Sequence, residues 1–181
     1  MREEVREKIN MFRIYNDIAL KNEIVVYGST YAAEFPFYEL SQKYIMSHAI
    51  YNRSIEGLTL EEAEEGLTAC VLEIKPSKLF LSLGERDIEN PSAADIYNRI
   101  ILTAKERLPD TEIYVVPVFM ADGSSAQFNA ALHSLCKAAG AEYIDIACSA
   151  AGEAAYGKVF HRLMHFFRSR SIGFAEAFQL G

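Results

Sequence analysis

The sequence is short of cysteine, proline and basic residues, and each shortage excludes a class of protein. Its three cysteines, Cys70, Cys136 and Cys148, are odd in number and widely spaced, which fits reduced thiols packed as small apolar residues better than a disulfide framework. With 5 prolines and 10 glycines, the chain has no stretch typical of a linker or a low-complexity segment. We therefore expect residues 1–181 to form a single domain, since domains commonly contain about 100–200 residues.

Positive charge is in deficit, with 18 lysines and arginines against 25 acidic residues and a net charge of -7. Binding to a phosphate backbone requires clustered cations, so neither a nucleic acid nor an anionic membrane is expected as a partner. No apolar run approaches the roughly 18–20 residues that cross a bilayer. Residues 1–8 mix acidic and basic side chains, where a secretion signal would need an apolar core. These features predict a cytoplasmic protein.

The apolar residues, half of the chain, fall in short runs that alternate with helical patterns. The runs predict strands at 24–27, 49–51, 78–83, 112–118 and 142–146. The amphipathic periods predict helices at 2–20, 34–45, 59–74 and 152–170. Two more helices are predicted, one from the cap pair Asn90–Pro91 to residue 108 and one from the loop at 121–125 to residue 139, where Gly140 ends it. This alternation predicts a three-layer α/β/α fold of flavodoxin-like type, with a five-stranded parallel sheet of order 2-1-3-4-5.

That strand order opens a crevice beyond the carboxyl ends of the first and third strands. The first strand runs into the turn Gly28-Ser29-Thr30, and the third runs into the loop Gly84-Glu85-Arg86-Asp87. Both loops border the crevice, so we expect Thr30 and Arg86 to face each other there.

Three segments, taken in order, resemble the sequence blocks of the SGNH/GDSL hydrolase family. Residues 24–36 are similar to its first block, an apolar strand followed by Gly-Asp-Ser and a helix. Residues 51–59 resemble the Asn-Arg-Gly block, and residues 75–87 resemble the block that ends in Gly-x-Asn-Asp. The resemblance spans residues 22–146, and it leaves an N-terminal helix at 1–20 and a divergent helical segment at 147–181. It implies the SGNH-hydrolase fold.

The resemblance also implies which residues would act. In that family a serine attacks an ester or acyl carbonyl, a histidine oriented by an aspartate removes the serine proton, and serine, glycine and asparagine donors hold the oxyanion. Thr30 stands at the serine position, Gly57 at the glycine and Arg86 at the asparagine. The resemblance thus implies an esterase or acylhydrolase for small substrates, without a cofactor, although the Thr30 methyl group restricts the rotamers of the hydroxyl.

Arg86 has two interpretations. Its guanidinium could bind a carboxylate or phosphate in the crevice. Alternatively, it pairs with Glu56, Glu85 or Asp87, because charged groups beside a cleft usually find structural partners.

Three more residues are expected to contact a ligand. Ser29 stands where the family has aspartate and offers a second hydroxyl, while Arg53 and Asp87 belong to the second and third blocks.

The proton-transfer step is what the sequence fails to supply. The family's Asp-x-x-His motif is absent, and His161 and His165 are the only histidines beyond residue 146. His161 is the candidate base, and Glu153 could orient it. The i, i+4 spacing of the two histidines also suits a metal, but the glutamate of the zincin motif and a third ligand are missing, so we expect no metal site.

Two further hypotheses remain open. The protein could be a catalytically inactive SGNH-type domain that binds a small anionic ligand. It could instead bind a partner chain or form a homo-oligomer through residues 174–178 and the apolar stripe of its last helix. That stripe consists of Phe160, Leu163, Met164, Phe166 and Phe167.

Overall fold

The computed structural model describes residues 1–44, 46–120, 122–146 and 156–168. The strands are β1 (Ile24–Gly28), β2 (Ile50–Asn52), β3 (Lys78–Ser82), β4 (Glu112–Val115) and β5 (Glu142–Tyr143). The helices are α1 (Glu3–Asn16), α2 (Thr30–Glu34), α3 (Phe37–Ser41), α4 (Leu60–Leu67), α5 (Ala93–Arg107), α6 (Ala126–Ala139) and α7 (Tyr156–Arg168). A π-helical turn, Thr68–Leu72, continues α4.

The five strands form one parallel sheet in the order β2-β1-β3-β4-β5, which confirms the predicted topology. In the register between the two central strands, Ile24 pairs with Lys78 and Gly28 pairs with Ser82. Since β1 and β3 end level with each other, the loops that follow them leave from the same edge of the sheet.

Alternate side chains of the strands face two separate apolar cores, which makes the fold a three-layer α/β/α sandwich as predicted. Val25 and Tyr27 of β1 point into the core beneath α1, α4, α5 and α6. Ile24 and Val26 point into the core beneath α2, α3 and α7. Both faces of the sheet are covered, as a parallel sheet requires.

The helix predicted over 34–45 is wrong. The structure has two short helices instead, α2 and α3, separated at Pro36. Phe35 adopts an extended backbone, because the proline ring disfavours the helical conformation for the preceding residue.

The ends of two other elements differ from the predicted ends because of local hydrogen bonding. The predicted fourth strand, 112–118, ends as β4 at Val115, shortly before Pro117, which has no amide to continue a ladder. Helix α5 begins at Ala93 rather than directly after the predicted cap Asn90, because the Asn90 side chain instead accepts the Ser92 amide in a turn. Gly140 does end α6, as predicted.

The apolar stripe of α7 packs on the sheet. All five of its predicted members are buried, and the Phe167 ring lies 4.7 Å from that of Phe80 in β3. The described part of α7 therefore leaves none of this stripe exposed for a partner, and residues 174–178 lie outside the described residues. Cys70 and Cys136 are buried as expected, while Cys148 lies outside the described residues. No helix of the described residues has the length and apolarity to cross a membrane.

The start of α1 is joined to the start of α4 by a partly buried ion pair. The Arg2 guanidinium donates to the Glu62 carboxylate at 2.7 and 2.9 Å, and the Arg2 amide donates to it as well. Thr59 completes a capping box with Glu62. The hydrogen bond from Arg2 lowers the pKa of Glu62 to about 2.

We predict that Glu62→Gln destabilises the protein by about 2 kcal/mol at neutral pH, because it removes one partner of this pair. Since folding lowers the Glu62 pKa, the stabilisation is present above about pH 4.5 and is lost as the pH falls towards about 2. Urea unfolding between pH 7 and pH 2.5 should show the wild type and the variant converging in acid.

The matched control is Glu64→Gln, which breaks an exposed pair with Arg99 and should alter stability by less than about 0.5 kcal/mol. Equal effects of the two substitutions would contradict the prediction.

Candidate functional site

The candidate site lies at the edge of the sheet where β1 and β3 end. The Ser29 amide donates to the Ser82 carbonyl at 2.9 Å, so the two exit loops are held together from their first residue. Thr30 follows at the start of α2, and residues 84–87 form the loop after β3. The structure therefore brings together the two loops that the strand order predicted to meet.

The Thr30 hydroxyl is anchored by the loop that precedes α4. Its Oγ1 accepts a hydrogen bond from the Gly57 amide at 2.9 Å. Gly57 has φ +65°, a left-handed conformation that glycine adopts without strain. The predicted nucleophile position and the predicted oxyanion donor thus lie in direct contact.

Glu85 is the residue that sequence reasoning missed, having been considered only as a partner for Arg86. Both of its carboxylate oxygens accept from the Tyr31 amide, at 3.0 and 3.3 Å. Burial raises the pKa of Glu85, and hydrogen bonds from the Tyr31 amide and the Thr30 hydroxyl partly oppose that rise. A half-buried carboxyl group therefore faces the Thr30 hydroxyl.

A sequence signal for Glu85 exists but is weak. It occupies the variable position of Gly-x-Asn-Asp, a position to which the resemblance assigns no role. Only the register of β1 against β3 brings this position to the first turn of α2.

Arg86 is exposed beside Gly57. Its Nη1 lies 3.9 Å from the point where a Cβ on Gly57 would stand, and Arg2 Nη1 lies 3.6 Å from the same point. Arg2 is engaged with Glu62 and with the Gly57 carbonyl, to which it donates at 2.6 Å. Within the described part of the chain, Arg86 forms no ion pair with Glu56, Glu85 or Asp87, the alternatives that the sequence left open.

Ser29 and Asp87 are buried and support the loops of the site. The Ser29 hydroxyl donates to the Leu58 carbonyl at 3.0 Å. Asp87 accepts the Leu60 amide at 3.1 Å at the start of α4, and burial raises its pKa. These contacts account for both side chains without a ligand, and their ligand role stays a prediction.

Arg53 is buried against α1. Its guanidinium lies 5.0 Å from the Phe12 ring and 5.5 Å from the Tyr51 ring, and it donates to the Asn16 side chain at 3.3 Å. Burial lowers the pKa of Arg53. Among the described residues, these side-chain contacts are with α1 and Tyr51 and not with the loops that carry Thr30 or Arg86, so the ligand role of Arg53 also stays a prediction.

Comparison with solved structures decides the fold. The chain is similar to a protein from Streptococcus pneumonia provisionally described as a platelet activating factor, with a TM-score of 0.78 and 20% identity over 91% of this chain and 93% of that one. It is similar to a GDSL-like lipase from Bacteroides thetaiotaomicron, with a TM-score of 0.69 and 9% identity over 88% and 96%. The lipase/acylhydrolase from Enterococcus faecalis gives a TM-score of 0.67 and 13% identity over 80% and 94%. The chain has the SGNH-hydrolase fold.

This agreement confirms the fold that the three sequence blocks predicted. No family model matches the chain, and a search of the curated proteins finds no match. At 9–20% identity the SGNH fold of the three structures is shared, whereas the site must be argued from the residues of this chain.

Among the described residues, no histidine forms a hydrogen bond with the Thr30 hydroxyl. His161 and His165 lie on the exposed face of α7, opposite the side chains that pack on the sheet. The described residues include no hydrogen bond between His161 and Thr30, and Glu153 lies outside them. The described residues also contain no group of three or more histidine, cysteine or acidic side chains that could hold a metal ion.

We predict that Gly57→Ala destabilises the protein by about 1–2 kcal/mol, because a side chain disfavours the left-handed backbone that presents the amide to Thr30. The nearest atoms to the new Cβ would lie at 3.6–3.9 Å, an ordinary contact distance, so the cost comes from the backbone. Thermal unfolding measures the change.

Gly157→Ala is the matched control. Gly157 is an exposed residue of α7, and no atom of the described residues lies within 4 Å of a Cβ added there, so alanine should stabilise the protein by about 0.5–1 kcal/mol. A neutral Gly57→Ala would mean that another backbone conformation serves the site equally well.

Proposed function

We propose that the protein is a hydrolase that cleaves small ester or acyl substrates with the Thr30 hydroxyl as nucleophile. The observation that carries the proposal is the hydrogen bond of 2.9 Å between the Gly57 amide and Thr30 Oγ1. A nucleophile and an oxyanion donor must both lie near the same reacting carbonyl, and the closeness of the Thr30 hydroxyl to the Gly57 amide supports these two roles.

Oxyanion stabilisation would fall to two groups. The Gly57 amide would turn from Thr30 Oγ1 to the carbonyl oxygen as the tetrahedral intermediate forms. The Arg86 guanidinium, exposed next to Gly57, would add a charged donor where negative charge develops.

The SGNH fold supports the reaction class by analogy. Two of the similar structures are described as a GDSL-like lipase and a lipase/acylhydrolase, and an acetylxylan esterase from Geobacillus stearothermophilus is also similar, with a TM-score of 0.57. In this chain Thr30 is partly exposed and Arg86 is exposed, while Gly57 is buried.

The proposal predicts that Thr30→Ala lowers the hydrolysis of short-chain nitrophenyl esters by at least about 100-fold, because it removes the attacking oxygen. The same variant should lose labelling by a fluorophosphonate probe. Thr30→Ser keeps the hydroxyl and frees it of the methyl group, so it should react at least as fast as the wild type.

Thr30→Ser is also the control for folding, since it preserves the acceptor for the Gly57 amide. Wild-type hydrolysis that is no faster than that of Thr30→Ala, with no probe labelling, would refute the proposal.

A second function, binding of a small anionic ligand without turnover, is favoured by a different observation. Arg86 is exposed, forms no ion pair within the described residues and lies near a second guanidinium, that of Arg2. An exposed guanidinium with no ion pair among the described residues is a group that an anion would complement. A carboxylate or a phosphate fits this chemistry.

This alternative predicts that inorganic phosphate raises the midpoint of thermal unfolding in the wild type and not in Arg86→Ala. A ligand at ten times its Kd stabilises by about 1.4 kcal/mol, which corresponds to a shift of about 3–5 °C.

Arg99→Ala is the control, because Arg99 is also exposed but is paired with Glu64 and lies outside the site. Equal phosphate shifts in wild type and Arg86→Ala would refute anion binding at Arg86.

A further inference from the structure

We infer that Glu85 is the general base of the site, taking the Thr30 proton in place of a histidine. This inference rests on the proposed hydrolase function and supplies the step that the sequence lacked. Its basis is geometric, because the loop after β3 brings the Glu85 carboxylate to the first turn of α2, which begins at Thr30.

The Thr30 hydroxyl lies between a donor and an acceptor. The Gly57 amide donates to its oxygen at 2.9 Å, and the Glu85 carboxylate faces its proton. The hydrogen bonds between Glu85 and the Tyr31 amide hold the carboxylate next to Thr30, one residue away along the chain. This arrangement directs the proton towards the carboxylate and leaves an oxygen lone pair for attack.

The carboxylate is held in place for this task. The Tyr31 amide donates to both of its oxygens, at 3.0 and 3.3 Å, so the group cannot swing freely into solvent. Glu85 is half-buried, so part of its side chain is accessible to solvent. A fixed carboxylate loses little entropy when the proton moves.

The charged groups around Glu85 bear on its basicity. Glu34 of α2 raises its pKa, whereas Arg86 carries a positive charge on the same loop and Arg2 lies across Gly57. Burial is the largest effect and raises the pKa of Glu85 above its ordinary value. A carboxylate made more basic in this way is better matched to proton transfer near neutral pH.

The proposed reaction has two stages, formation of an acyl-Thr30 ester and its hydrolysis. Glu85 takes the Thr30 proton while Oγ1 forms a bond to the acyl carbon and the carbonyl electron pair moves to oxygen. The intermediate collapses, the alkoxide leaves with the proton from Glu85, and an acyl-Thr30 ester remains. Water then attacks, Glu85 takes its proton and returns it to Thr30 Oγ1, and the free acid departs.

A purely structural role is the competing interpretation. Ser29, at the N-cap of α2, makes no capping hydrogen bond with its side chain, so Glu85 could serve only to accept the Tyr31 amide. Glu85→Gln separates the two roles, because glutamine keeps an acceptor oxygen for this amide and cannot act as a base.

The first experiment measures kcat/KM for a nitrophenyl ester from pH 4 to pH 9. We expect wild-type activity to rise with pH as Glu85 loses its proton, with an inflection above the ordinary glutamate range of about 4.3. Glu85→Gln should lower the plateau by at least about 100-fold and abolish the inflection, while its unfolding midpoint changes little.

Two controls accompany it. Glu89→Gln alters an exposed carboxylate of the same region and should leave the profile unchanged, as should His161→Ala. Thr30-dependent hydrolysis that survives in Glu85→Gln overturns the Glu85 role and leaves the hydrolase proposal intact. A wild type without Thr30-dependent hydrolysis overturns both.

The second experiment does not need turnover. A ¹³C NMR titration of the Glu85 carboxyl group should give a higher pKa in Thr30→Val than in the wild type, because the hydroxyl that stabilises the carboxylate is removed. Identical titrations would show that the two groups do not interact, and would overturn the proposal.

Discussion

The pairing of the two central strands at their carboxyl ends is the constraint on which the site depends. Gly28 pairs with Ser82, and a Cβ on Gly28 would stand 2.6 Å from the Ser82 carbonyl oxygen and from the Ala32 side chain. Only a residue without a side chain permits this approach. Because of it, α2 starts directly against the loop after β3, and Thr30 meets Glu85 within one turn of each strand end.

A second constraint ties the N-terminal helix to the same place. Arg2 pairs with Glu62 and also donates to the Gly57 carbonyl. Gly57 is therefore fixed at both of its polar backbone groups, since its amide donates to Thr30 Oγ1. The stability of α1 and the position of the predicted oxyanion donor are therefore coupled. Arg86 adds a second guanidinium beside Gly57, next to that of Arg2.

The exchange of an imidazole for a carboxylate would change the chemistry of the reaction. A carboxylate base is negatively charged before the reaction and becomes neutral, whereas an imidazole starts neutral and becomes positively charged. Arg86 would then provide the positive charge next to the oxyanion that a protonated imidazole provides elsewhere. The proposed base and the replacement of the asparagine donor by arginine are thus consistent with each other.

The sequence alone determined the fold. Alternating strands and helices leave few ways to cover a parallel sheet, and three short sequence blocks predicted that the fold is of the SGNH-hydrolase type. It placed Thr30, Gly57 and Arg86 in one region, since each follows a strand end on the same edge. The apolar stripe of α7 also set the phase of that helix, with His161 on the face opposite the sheet, so the prediction of His161 as the base conflicted with the stripe.

Only the tertiary structure brought Glu85 to Thr30. Glu85 lies 54 positions from Tyr31 and 55 positions from Thr30 in the sequence, and the register of β1 against β3 brings them together. No local sequence pattern encodes a register. The sequence determined which residues could react, and the packing of the two strand ends decided which of them meet.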